Sequence, residues 1–258
     1  MSIDWIRTPA AIWRQHNMQL RGVVEVDPIR LSDLIGIDRQ KQELTRNTRR
    51  FLAGKPANNA LLWGARGTGK SSLIKAVLNE YTQDGLRLIE VFKNDLLQLP
   101  AIVDEIRDLP FRFIVYCDDF SFESNDYAYV ALKTILEGSI ERRPDNALLY
   151  VTSNRRHLLP EYQRENQESR MIDGELHYSD AVEEKIALSD RFGLWLSFYQ
   201  TSWEGYLQIV DSYFPDYPGD RTALHEAAKR FSMARASRSG RTAKQFHNYY
   251  ADKDDEGT

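Results

Sequence analysis

The apolar positions of this chain fall into short unbroken runs separated by longer stretches of mixed polarity. Ala60-Leu61-Leu62-Trp63 is the first such run, and residues 86–92, 111–117, 147–152 and 194–199 are the others. A strand with one face in water alternates apolar and polar residues, whereas a continuous run marks a strand buried on both faces. Residues 38–53, 71–81, 96–107 and 127–136 have helical composition and interleave with the runs. Strands alternating with helices predict an α/β fold of three layers, with a central parallel sheet covered by helices and joined by right-handed crossovers.

The pattern also predicts a division of the chain. Residues 1–33 read as an irregular N-terminal arm, anchored by Trp5, Trp13 and Val23-Val24, and residues 34–200 as the α/β domain. Within that domain, residues 161–190 form a polar, charge-dense insertion carrying Gly174, which is long enough to expect a functional or mobile role. Residues 201–251 read as helical with a break at 215–219, a small C-terminal lid, and residues 252–258 as an acidic tail.

The first run leads into Gly64-Ala65-Arg66-Gly67-Thr68-Gly69-Lys70-Ser71, which matches G-x-x-x-x-G-K-S with a strand before it and a helix after it. Glycines let successive backbone N–H groups point inward around an anion and keep side chains clear of it. The helix start presents its positive end to the same anion. Gly64 through Ser72 therefore form the expected nucleotide cradle, with Lys70 reaching the β- and γ-phosphates and the Ser71 hydroxyl ligating Mg²⁺.

The third run ends in Asp118-Asp119. Asp118 is the expected holder of Mg²⁺, which keeps most of its waters and takes few protein ligands. Asp119 then sits where an attacking water must be polarised, with Glu123 as the rival base. An Asp-Asp pair that merely ends a strand and opens a turn is the bland alternative.

Composition narrows the partners. The net charge is −4, from 34 Lys and Arg against 38 Asp and Glu, which argues against a surface made to coat nucleic acid or anionic membrane. The lone cysteine, Cys117, permits no internal disulfide and fits a reducing, cytoplasmic setting. No apolar run approaches the roughly 18 residues that span a bilayer, so no membrane association is expected.

With these motifs in place, the chain resembles the AAA+ P-loop ATPase superfamily. Leu34-Ile35-Gly36-Ile37-Asp38 resembles the segment that contacts adenine, placing Ile35 and Gly36 at the base. Thr152-Ser153-Asn154 resembles the polar sensor, Leu188-Ser189-Asp190-Arg191-Phe192-Gly193 the arginine-finger box, and Ser239-Gly240-Arg241 the second sensor. Stretches around these motifs look more specifically like a bacterial AAA+ family catalogued as a domain of unknown function, which implies fold and nucleotide but no substrate. The resemblance implies that Asn154 orients the water or γ-phosphate, that Arg241 touches the γ-phosphate from the lid, and that Arg191 acts on a neighbour's nucleotide. It thereby implies a homo-oligomeric ring or filament. Arg191 paired with Asp190 or Glu184 on a solvated surface is the plain alternative.

Many members of the superfamily end the acidic strand in Asp-Glu. The shorter Asp-Asp here is similar to replication-initiator and helicase-loader members, which implies slow turnover, with nucleotide as a switch. The expected function is an ATPase using ATP and Mg²⁺ and acting on an unidentified protein partner. The alternative is an ATP-gated nucleic-acid switch built on the basic C-terminal helices, where no acidic residue occurs between Ala227 and Tyr250, or on Arg155-Arg156. The acidic net charge and the lack of interleaved basic and aromatic residues disfavour it. A small-molecule kinase is disfavoured by the Asn154, Arg191 and Arg241 constellation.

Overall fold

In the computed structural model the described residues are 3–120, 132, 136, 144–154, 170–172, 175–177 and 191–254. Their backbone is built on a seven-stranded sheet of order β2-β1-β4-β5-β6-β3-β9. Its strands are β1 (Ala10–Arg14), β2 (Gln19–Val23), β3 (Ala60–Gly64), β4 (Leu86–Glu90), β5 (Arg112–Cys117), β6 (Ala147–Ser153) and β9 (Leu194–Phe198). All neighbouring pairs are parallel except β1 with β2. A separate two-stranded ribbon joins β7 (Arg170–Ile172) to β8 (Glu175–His177), inside the stretch expected to be an insertion.

The unbroken apolar runs have a direct physical cause. Successive side chains of a strand point to opposite faces, and here each face meets a core. Leu61, Phe113, Val115, Cys117, Leu149 and Val151 pack on one side with Ile102 and Ile106 of α3 (Leu99–Ile106). Leu62, Ile114, Tyr116, Tyr150, Leu196 and Phe198 pack on the other. There they meet Leu44 and Phe51 of α1 (Asp38–Leu52) and Leu73, Ile74 and Val77 of α2 (Lys70–Tyr81). The expected α/β/α sandwich is present.

Two expectations about element boundaries are corrected. Residues 1–33 are not an irregular arm throughout, because β1 and β2 extend the central sheet beside β4. Trp5 and Trp13 are buried as expected, but Val24 is 67% exposed. The run 86–92 ends as a strand at Glu90, followed by a 3-10 turn over Lys93–Gln98 before α3. The helix expected over 127–136 lies mostly outside the described residues; Leu132 and Leu136 are helical and buried.

The C-terminal helices α4 (Trp203–Tyr213), α5 (Arg221–Ala234) and α6 (Gly240–Asp254) share a separate core of Tyr206, Val210, Phe214, Leu224, Ala228, Ala243 and Phe246. Ser202 caps α4, its Oγ accepting from Gly205 N at 3.1 Å, and Asp220 caps α5 through Thr222 N at 2.9 Å. Among the described residues no helix is long and apolar enough to cross a membrane.

Candidate active site

Parallel strands end together, so the C-terminal edge of the sheet collects the groups that each strand carries past its last residue. β3 delivers the loop 64–69, β5 delivers Asp118 and Asp119, and β6 delivers Thr152 and Asn154. β3 turns sharply because Gly64 lies against β9: a Cβ there would sit 2.0 Å from the Phe198 carbonyl oxygen, which itself accepts from Ala65 N at 3.0 Å. Gly64, Gly67 and Gly69 all have positive φ, and α2 begins directly after Gly69.

The Lys70 side chain is buried and folds back onto its own loop, donating to Gly64 O at 2.9 Å and Ala65 O at 2.7 Å. Burial pulls its ammonium down to about 8; Asp118 and Asp119 oppose that shift, while Arg241 and Arg66 add to it. The expectation that Lys70 reaches outward to phosphates thus meets a different resting geometry, in which loop carbonyls hold the ammonium. Thr68 Oγ1 donates to Ala65 O at 2.8 Å and ties the loop to itself.

Asp118 is the hub of the acidic side. Ser71 Oγ donates to its Oδ1 at 2.8 Å, and Thr152 Oγ1 donates to the same oxygen through a very short hydrogen bond. Crowding by protein atoms would raise the carboxyl's pKa, but the neighbouring hydroxyls of Thr152, Tyr116 and Ser71 outweigh it and hold Asp118 below the usual carboxylate range. Thr152 also accepts from Asp119 N at 3.0 Å. Asp119 has φ +52, and Asn154 Nδ2 donates to its Oδ1 at 2.5 Å. The two residues expected to handle water are therefore in direct contact. Thr152 links them to the cation side, a role that its place in the sequence motif did not announce. Glu123, the rival base, lies outside the described residues.

The lid supplies the remaining wall. A Cβ on Gly67 would fall 2.7 Å from Ser239 Oγ and 3.3 Å from Arg241 Cβ, so the start of α6 packs directly on the phosphate loop. Ser237, Ser239 and Thr242 hold that turn through mutual hydroxyl contacts of 3.0–3.2 Å. On the opposite side Leu34 and Ile37 are buried, with Ile37 Cδ1 3.4 Å from where a Gly69 Cβ would be. Gly36 turns with φ +78 beside Thr201, where the chain enters the lid. Ile35 and Gly36 thus lie between the helix start and the lid.

The structure does not bring Arg191 to this site. In register, Ala60 pairs with Leu194 and Gly64 with Phe198. Arg191 therefore precedes the start of β9, at the edge of the sheet opposite the phosphate loop. Its bland partners Asp190 and Glu184, and Arg155-Arg156, lie outside the described residues.

The donor set fits a hard divalent cation. Asp118 accepts the Ser71 hydroxyl's hydrogen bond, which leaves the hydroxyl lone pairs free to face a cation, and a carboxylate with one hydroxyl matches the sparse protein ligation that Mg²⁺ accepts. Among the described residues no group of three or more His, Cys, Asp or Glu could hold a metal ion.

Comparison with known proteins agrees with this architecture. The model of a family described as "Protein of unknown function (DUF815)" matches residues 6–254. The replication factor C large subunit of Staphylothermus marinus is 34% identical over 74 residues, which is 28% of this chain and 17% of that protein. The corresponding subunit of Ignicoccus hospitalis is 32% identical over 68 residues, 26% of this chain and 14% of that protein. The chain thus matches less than a fifth of these curated relatives. Among solved structures, C. elegans PCH-2 aligns with TM-score 0.53 and 18% identity, over 83% of this chain and 63% of that one. A mutant RuvB of Thermotoga maritima aligns with TM-score 0.53 and 18% identity, over 88% of this chain and 66% of that one. At such identity the likeness is one of fold: an AAA+-type α/β P-loop architecture.

Proposed function

Because the chain belongs to the family described as protein of unknown function (DUF815), we propose its function from the site: it binds Mg-ATP and hydrolyses it slowly, coupling the nucleotide state to rearrangement of like subunits. The observation that carries this reading is the 2.8 Å contact between Ser71 of the phosphate loop and Asp118 of the neighbouring strand. It joins an anion cradle to a cation ligand at one edge of the sheet.

The residues divide the work. Backbone N–H groups of residues 64–71 and the start of α2 receive the phosphates. Lys70 leaves the carbonyls of Gly64 and Ala65 and places its charge on the terminal phosphates. Ser71 and Asp118 would hold Mg²⁺, which would supply charge neutralisation at the phosphates, and Asn154 orients Asp119 toward a water. Arg241 reaches the γ-phosphate from the lid, while Arg191, remote from its own cradle, serves the cradle of a neighbouring subunit. Asp119 is one methylene shorter than the glutamate common in faster members, which is the reason for assigning slow turnover.

Isothermal titration of the purified chain with ATP, with and without Mg²⁺, tests the proposal. Binding that is strengthened by Mg²⁺ and lost in Lys70→Ala supports it. A folded wild-type chain that ignores ATP under both conditions ends it.

A second reading has one favouring observation. In the stretch between Ala227 and Tyr250, which holds no acidic residue, Arg235 stacks on Phe231 at 3.6 Å, beside the exposed Tyr249. Aromatic and guanidinium surfaces of this kind stack on unpaired bases, so an ATP-gated nucleic-acid switch is the alternative. Salt-dependent binding of single-stranded DNA that responds to nucleotide would select it.

A further inference from the structure

Tyr116 lies on β5, two residues before Asp118, which directly follows the strand's last residue, Cys117. It is almost completely buried, and its hydroxyl makes no well-formed hydrogen bond. The ring is accommodated by the apolar core between the sheet and α2, but the hydroxyl is not. It lies against Ser71 and Asp118, near enough for both to influence it. An unpaired buried hydroxyl is destabilising, and a phenylalanine would fill the same space without that cost.

Asp118 is the acceptor that this donor lacks. A carboxylate offers about four lone-pair positions, and the hydroxyls of Ser71 and Thr152 both use Oδ1. We propose that Tyr116 is a positioning residue for the divalent cation: its hydroxyl closes onto the Asp118 carboxylate when cation and nucleotide bind, completing a collar of three hydroxyls with Ser71 and Thr152. The inference rests on the Mg-nucleotide reading above and names a residue that the P-loop and strand-end motifs do not include. Three donors on one carboxylate set its plane and direction. Groups of this kind behind a metal ligand change metal affinity by about 10–100-fold when removed.

Tyr116→Phe separates this role from a structural one. The Mg²⁺ concentration that half-saturates nucleotide binding is read by titrating Mg²⁺ into protein with a fluorescent ATP analogue, alongside binding without Mg²⁺ and the thermal midpoint of the nucleotide-free protein. The expected result is a half-saturating Mg²⁺ concentration raised about tenfold, with unchanged Mg²⁺-free binding and a midpoint equal to or above that of wild type. An unchanged Mg²⁺ requirement overturns the inference, whatever the midpoint does. As a reading that keeps the hydroxyl, 3-fluorotyrosine at position 116 is expected to shift its fluorine resonance on addition of Mg²⁺ and nucleotide together; a resonance that stays in place also overturns it. If wild type binds Mg-nucleotide normally and Tyr116→Phe matches it, only this inference falls. If wild type binds none, the functional reading falls with it.

Discussion

Gly67→Ala tests whether the lid is seated on the phosphate loop. Gly67 has φ +75, a conformation that costs an alanine about 1–2 kcal/mol. The new methyl would also lie 2.7 Å from Ser239 Oγ and 3.0 Å from Ser239 Cβ. Forcing an extra carbon into a packed site costs about 1–3 kcal/mol. The two effects together predict a loss centred on about 3 kcal/mol, which for a chain of this size lowers the thermal midpoint by about 6–12 °C. Only the steric share depends on the lid. Ser239→Gly removes the atoms in the way, so Gly67→Ala should be milder in that background, with a coupling of about 1–3 kcal/mol. Urea denaturation of wild type, both single variants and the double variant measures it, and fluorescent-nucleotide binding on the same four proteins reports whether displacing Arg241 weakens the cradle. Strictly additive destabilisation would refute the reasoning, because residues that do not touch do not couple.

Lys70 gives a pH dependence whose sign is determined. Its pKa falls from an ordinary 10.5 to about 8 in the nucleotide-free fold, so between those values the unfolded chain holds more protons and this group adds stability as pH rises. A triphosphate demands the charged form; nucleotide affinity should therefore fall as pH climbs through about 8, with proton uptake visible as buffer-dependent heats in calorimetry. Asp119→Asn should keep Mg-ATP binding while steady-state phosphate release drops by at least about 100-fold; a retained rate would pass the base role to Glu123. Arg191→Ala should bind ATP as tightly as wild type yet lose the rate gained on raising protein concentration, measured by phosphate release across a dilution series. A variant rate that still climbs with concentration removes Arg191 from the neighbour's site.

Much of the architecture was legible from the chain alone because it depends on local rules. Runs such as Phe113-Ile114-Val115 report burial on two faces without reference to any partner strand, and the loop from Gly64 to Ser71 carries its backbone requirements in its glycines. Asp118 could be placed at a strand end for the same reason. The first 33 residues read as irregular because β2, Gln19-Leu20-Arg21-Gly22-Val23, is a short, partly exposed edge strand with only Leu20 and Val23 as apolar side chains. Only its antiparallel pairing with β1, and the pairing of β1 with β4, makes it part of the sheet.

Residue identity and spacing determined that a phosphate loop, an acidic strand end and a helical lid exist, since each is set by the backbone preferences and polarity of a few adjacent residues. Tertiary packing decided what those parts do to one another. It brought Ser239 against Gly67, hung Asp118 and Asp119 on Thr152, left the Tyr116 hydroxyl unpaired beneath the cation ligand, and put Arg191 at the far edge from its own loop. Such relations arise between residues far apart in the chain. They follow from strand order and register, which no single stretch of residues encodes.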